Sequence, residues 1–101
     1  MAEAVFDSTR ALLAANELFL RRFAPRGTGA SRLIGHPVPA LQSIVDEVWP
    51  RLLSGTVDFL TTQMAAVGRE GDHEHVHWAV IRRPDASPVW VVATWEPLDG
   101  A

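Results

Sequence analysis

His73-Glu-His-Val-His-Trp-Ala-Val-Ile-Arg-Arg-Pro-Asp-Ala-Ser-Pro-Val-Trp-Val-Val-Ala-Thr-Trp-Glu96 is the stretch on which the reading of this chain turns. It holds three of the four Trp and three of the four His, and it divides into two apolar runs around Pro84 to Ser87. Pro84-Asp85 suits the central positions of a type I turn, and Pro88 stands at a strand start, where its missing N–H does least harm. The stretch therefore predicts an antiparallel β-hairpin over about 75–83 and 88–96, with Arg83 opposite Pro88.

That register has consequences for every side chain, because alternate residues of a strand point to opposite faces. One face collects Val76, Trp78, Val80, Val91, Ala93 and Trp95, all apolar, and is expected to form the core. On the other face Ile81 meets Trp90, Ala79 meets Val92, His77 meets Thr94 and His75 meets Glu96. This second face is apolar at the turn end and polar at the far end. A two-stranded ribbon alone is marginal in water and leaves two open edges. The expected remedy is a homodimer, with Ile81, Trp90 and Val92 as the interface residues.

Upstream, helical spacing dominates the pattern. Val5, Leu12 and Phe19 recur every seven residues with Phe6, Leu13, Leu20 and Phe23 beside them, which predicts an amphipathic helix over about 4–24. Arg21 and Arg22 fall in its last turn, where the helix dipole favours cations. Residues 25–39 carry three Gly and three Pro and read as a loop. Arg21, Arg22, Arg26 and Arg32 gather about it, but no Gly-Lys-Ser/Thr phosphate loop is present. A second helix is predicted over 39–53 from Leu41, Ile44, Val45, Val48, Trp49 and Leu52, with Pro39 in its first turn and a kink or break at Pro50. A third, over 56–67, follows from Val57, Leu60, Met64 and Val67, with Thr56 as cap; its Thr, Val and Phe content makes a strand the rival reading.

The sequence thus reads as one α+β domain over 1–101: N-terminal helices followed by a C-terminal antiparallel hairpin completed by dimerisation. The proportions, 48% apolar and 21% charged, are those of a folded domain and not of a disordered chain. No run approaches the roughly 18 apolar residues of a membrane span, and the first residues lack the basic start of a secretion signal. Cysteine is absent, which excludes disulfides and thiolate metal clusters and is compatible with a cytoplasmic location. All nine basic residues are Arg, a usage associated with GC-rich bacterial genomes. Residues 1–39 have five Arg against three acids and residues 40–101 four against nine, for a net charge of −3. That balance argues against nucleic acid as a partner, because phosphate contacts need clustered positive charge.

Chemistry-bearing patterns are few. His73-x-His75-x-His77 would place three imidazoles on one strand face with Glu96 across from His75. Such donors suit zinc, with a fourth position open to water. Trp78 and Trp95, with Phe residues of the helices, could line a pocket for a small apolar ligand. No Gly-x-Ser-x-Gly elbow occurs, and Asp46 and Glu47 diverge by about 100° on a helix, so no nucleophilic or paired-acid site is assembled. The expected function is a non-catalytic interaction or accessory module that pairs with itself or another protein. Metal binding through the His cluster and apolar-ligand binding are the alternatives.

Overall fold

The computed structural model describes residues 1–24, 30–55, 57–65 and 71–97. In chain order the elements are β1 (Ala2–Asp7), β2 (Leu12–Ala15), α1 (Glu17–Phe23), α2 (Ala30–Leu33), a 3-10 turn (Pro39–Leu41) leading into α3 (Gln42–Leu53), then β3 (Phe59–Ala65), β4 (His73–Arg82) and β5 (Pro88–Pro97). Among the described residues these strands form one antiparallel sheet in the order β2-β1-β5-β4-β3. The helices, inserted between β2 and β3, cover one face of it.

β4 and β5 pair as their alternation dictates: Val76 lies opposite Trp95, Trp78 opposite Ala93, Val80 opposite Val91, and on the other face His75 opposite Glu96 and Ile81 opposite Trp90. A bulge between Ile81 and Arg82 then brings Arg82, rather than Arg83, opposite Pro88. Arg82 cross-links that end of the sheet. Its Nε donates to Asp58 Oδ1 at 2.7 Å, and its Nη2 donates to the carbonyls of Leu52 at 2.7 Å and Val57 at 3.1 Å, which ties the end of α3 and the approach to β3 onto β4.

The layout of N-terminal helices followed by a terminal hairpin is overturned, and so is completion of the hairpin by dimerisation. β1 takes the free edge of β5, with Ala2 opposite Trp95 and Phe6 opposite Val91, and β3 takes the free edge of β4 over all seven of its residues. The sheet is completed within one chain. The segment expected as a helix over 4–24 is a strand, a turn, a second strand and only then a helix. Ala2, Ala4 and Phe6 are buried at a period of two, while Leu12 and Phe19 belong to two further elements. The seven-residue repeat was a coincidence of three separate elements. Asp7 makes the turn: its carboxylate accepts the Thr9 amide at 2.8 Å and the Ala11 amide at 3.0 Å, and Arg10 adopts φ 77°.

α1 is short, and its start is set by Asn16. The Asn16 Oδ1 accepts the amide of Phe19 at 3.0 Å and that of Glu3 at 3.1 Å, and its Nδ2 donates to the Met1 carbonyl at 2.8 Å. One side chain thus caps the helix and pins it to β1. The predicted helix over 39–53 is present as the 3-10 turn and α3, and Pro50 sits inside its last turn rather than dividing it. The predicted helix over 56–67 is strand β3; Thr56, Ala66 and Val67 lie outside the described residues. Leu60 and Met64, which fit helical spacing, are also of the same parity, and pairing with β4 decides in favour of the strand. The expected loop over 25–39 contains α2 and the Pro39 turn, while 25–29, including Gly27, Gly29 and Arg26, lies outside the described residues.

The core lies between the sheet and the helices. Phe6, Leu12, Val76, Trp78, Val91 and Trp95 from the strands meet Phe19, Phe23, Leu41, Val48, Trp49 and Leu52 from the helical side. Trp95 is enclosed by aromatic rings, with centroids at 5.3 Å for Phe19, 5.0 Å for Phe23 and 6.2 Å for Trp78. Each buried indole N–H finds an acceptor, as such groups must in an apolar interior. Trp49 donates to the Ser8 carbonyl at 3.0 Å, Trp78 to Thr62 Oγ1 at 3.0 Å and Trp95 to Met64 Sδ at 3.2 Å.

Candidate functional site

The helices cover one face of the sheet, and among the described residues no helix lies over the other. On that outer face β4 and β5 present Ile81 opposite Trp90 and Ala79 opposite Val92; β3 adds Phe59 opposite Ala79, and β1 adds Val5 opposite Val92. Phe59 is 60% exposed, Trp90 47% and Ile81 44%. Isolated exposed apolar residues are ordinary, but three large ones around a common row of Val and Ala make a contiguous patch. Beside it, above β1 and β2, a shallow depression of about 250 Å³ is floored by Val5, Ala14, Ala15 and Val92.

The polar end of the same face holds the histidines. His77 Nε2 lies 2.9 Å from Glu96 Oε2, and its Nδ1 lies 3.1 Å from Thr61 Oγ1. The hydroxyl can donate or accept, so both ring nitrogens are satisfied in either protonation state. Phe59 stacks on the same ring at 6.1 Å, and the His75 ring lies 6.0 Å from it. His73, at the start of β4, is exposed. Among the described residues no three His, Cys, Asp or Glu side chains converge as a metal site would require. The four residues expected to form one are therefore spread along a ladder, with His77 and Glu96 bonded to each other.

Trp78 and Trp95, expected beside a ligand, are 0% and 1% exposed and packed among the chain's own aromatic rings. Ile81, Trp90 and Val92 are together on the outer face as the hairpin register requires. Two residues were not legible, Phe59 at the patch and Glu74 in the interior. Phe59 was hidden by the helical reading of its segment; the alternation Phe59, Thr61, Gln63 against Leu60, Thr62, Met64 was the available signal. Glu74 passed as a spacer between histidines, although strand parity puts it on the inner face with Val76 and Trp78. There it is buried, and both its oxygens pair with Arg22 of α1.

Two turns at the Trp90 end of the sheet are built alike. Burial pushes the Asp7 carboxyl upward, but bonds from the Thr9 hydroxyl and from the Ala11 and Thr9 amides outweigh it and hold the group below its ordinary value. At the β4–β5 turn the Ser87 hydroxyl and amide hold Asp85 down in the same way. Both carboxylates are structural parts of turns.

The arrangement of strands and inserted helices is shared with solved sensory domains. A sensory box sensor histidine kinase from Vibrio cholerae superposes with a TM-score of 0.77 at 11% identity, covering 96% of this chain and 80% of that one. The PAS domain of Bordetella pertussis BvgS gives 0.73 at 14% identity, covering 96% and 76%. The PAS-B domain of Drosophila melanogaster Cycle, with bound ethylene glycol, gives 0.65 at 10% identity, covering 97% and 100%. The fold is that of PAS domains. No family model matches the sequence, and no curated protein matches it. Among the described residues no helix is long and apolar enough to cross a membrane.

Proposed function

We propose that this chain is a non-catalytic, PAS-type signalling module that works by protein contact, with a second copy of itself held against the outer face of the sheet. The observation that carries this reading is the Trp90–Ile81 pair, two large apolar side chains directly opposite each other and almost half exposed, on a face that none of the described helices covers. A two-fold contact brings a patch against itself, so an apolar patch is self-complementary where a charged one is not. Val92 and Phe59 extend the contact to either side, and the carboxylate of Glu96 falls toward its rim.

The interior favours contact over ligand capture. Phe19 and Phe23 occupy the space between α1 and Trp95 that a small apolar ligand would need. On the outer face the ring nitrogens of His77 are taken by Thr61 and Glu96, which favours the contact reading over a resident metal.

Native mass spectrometry of the untagged protein at micromolar concentration tests the proposal. A self-associated species is expected, and Trp90→Ser should lower its subunit number, because a central interface Trp contributes about 2 kcal/mol, or roughly 30-fold in affinity. Circular dichroism confirms that the variant is folded. A monomeric wild type, or a folded Trp90→Ser protein with an unchanged subunit number, overturns the reading.

A further inference from the structure

The two edges of the sheet are treated differently. β2, at one edge, has only four residues and a bulge in its pairing with β1, and its outer side is hydrogen-bonded. The Leu12 amide donates to the His36 carbonyl at 3.0 Å, and the Gly35 amide donates to the Leu12 carbonyl at 2.7 Å. Short length, a bulge and a covering segment are the devices that keep a sheet edge from pairing with another chain.

β3, at the opposite edge, shows none of them among the described residues. Its sequence, Phe59-Leu-Thr-Thr-Gln-Met-Ala65, contains no charge, no Pro and no Gly, and its seven residues pair with β4 without a shift. The Val80 amide donates to the Asp58 carbonyl at 2.9 Å, which sets the phase of the ladder. With that phase, Leu60, Thr62 and Met64 exchange bonds with β4, while Phe59, Thr61, Gln63 and Ala65 turn their N–H and C=O groups to the free edge. Among the described residues no backbone hydrogen bond reaches β3 from that side. The inward-facing Leu60 and Met64 are only partly covered by the core they pack against, so a strand laid beside β3 would bury them further.

From this asymmetry we infer that β3 is a second self-association site, pairing antiparallel with β3 of another copy about a two-fold axis at Thr62. In this register the outward backbone groups of both strands meet, and all seven residues of each strand are paired. Thr61 then lies opposite the second copy's Gln63, Phe59 opposite its Ala65, and Leu60 opposite its Met64. No charge faces another charge, and the partly covered apolar side chains Leu60 and Met64 meet each other. The pairing joins two already complete five-stranded sheets and leaves the outer faces free. A protomer with both contacts assembles beyond a dimer, since each two-fold contact uses a different surface.

The register makes the test specific, and a Trp90→Ser background isolates the edge from the face. In that background native mass spectrometry should show a dimer. Adding Thr61→Lys with Gln63→Lys sets Lys opposite Lys twice and should weaken the dimer roughly tenfold or more. Thr61→Lys with Gln63→Glu sets Lys opposite Glu and should restore it. Both variants lose the Thr61–His77 hydrogen bond alike, so their difference reports the charge pairing, and circular dichroism checks that each is folded. A monomeric Trp90→Ser protein overturns the inference while leaving the face contact standing. Equal loss in both charge variants, or loss in neither, overturns the Thr62-centred register. If Trp90→Ser has the same subunit number as wild type and the Lys–Lys variant dissociates it, the edge contact stands and the face contact falls.

Discussion

Arg22, in the last turn of α1, forms a two-pronged ion pair with Glu74, whose side chain is 2% exposed at the start of β4. The guanidinium also lies over the Phe23 ring, 5.0 Å from its centroid. The pair fastens α1 to the sheet at the end where β4 meets the last residues of β5, with Glu74 opposite Pro97. Removing one member of a buried ion pair is costly, because the remaining charge keeps its desolvation penalty and loses attraction. Arg22→Met should therefore cost about 3 kcal/mol of unfolding free energy. Urea denaturation followed by circular dichroism measures it, and a loss below about 1 kcal/mol would show the carboxylate to be well served without Arg22.

Asn16 serves three backbone groups with one side chain: the amides of Phe19 and Glu3 and the carbonyl of Met1. Asn16→Ala should therefore cost more than an ordinary cap, about 2 kcal/mol, whereas Asn16→Asp, which keeps the acceptor oxygen, should cost roughly half as much. Chemical denaturation of the two variants side by side checks the ordering. Equal losses would mean that the link to Met1 dominates.

Ala86 adopts φ 70° in the β4–β5 turn, where its amide donates to the Arg83 carbonyl at 2.8 Å. A side chain in this left-handed region costs about 1–2 kcal/mol, and glycine avoids it at the expense of some chain entropy. Ala86→Gly should stabilise the protein by about 0.5–1 kcal/mol. A thermal melt of the variant above that of the wild type is the expected result; a lower one would mean that the turn is not strained.

Asp7 shapes the acid limb of stability. Its folded pKa is held below the ordinary value. A carboxylate depressed on folding contributes stability that is fully present above its unfolded pKa and is lost as pH falls through the folded one. Wild type should therefore exceed Asp7→Asn in stability at neutral pH, and the difference should shrink as pH drops below about 4. Denaturation at a series of pH values between neutral and acid checks this. A gap that stays constant would show that the turn depends on shape rather than on charge.

Filling of the core can be tested at Trp95, whose ring is packed among Phe19, Phe23 and Trp78. Trp95→Ala should cost about 4 kcal/mol, a large part of the stability of a domain of this size. If instead the variant melts close to wild type, α1 has collapsed onto the vacancy, and hydrogen exchange in α1 would report the movement.

The pairing of β4 with β5 was legible because the evidence for it is local. Residues 73–96 contain both strands and the turn, and alternation at a period of two assigns every side chain to a face without reference to the rest of the chain. The grouping of Ile81, Trp90 and Val92 follows from that alternation, as does the separation of the histidines from the core. The helical face of 42–53 was legible for the same reason, since its twelve residues are long enough for a 3.6-residue period to stand out.

The first fifteen residues and 59–65 were decided only by tertiary structure. Over four to seven residues, spacings such as Leu60 and Met64 satisfy both periods, so the partner chooses between them. β1 becomes a strand because β5, almost ninety residues away, offers it an edge, with Ala2 opposite Trp95 and Ala4 opposite Ala93. β3 becomes one because β4 does the same. Glu74 shows the limit most plainly. Its parity placed it inward, but its counter-ion is Arg22, on a helix 52 residues earlier, and no local pattern could supply that partner. Local periodicity determined which face each hairpin residue occupies, and long-range hydrogen bonds and one buried ion pair decided what lies beside it.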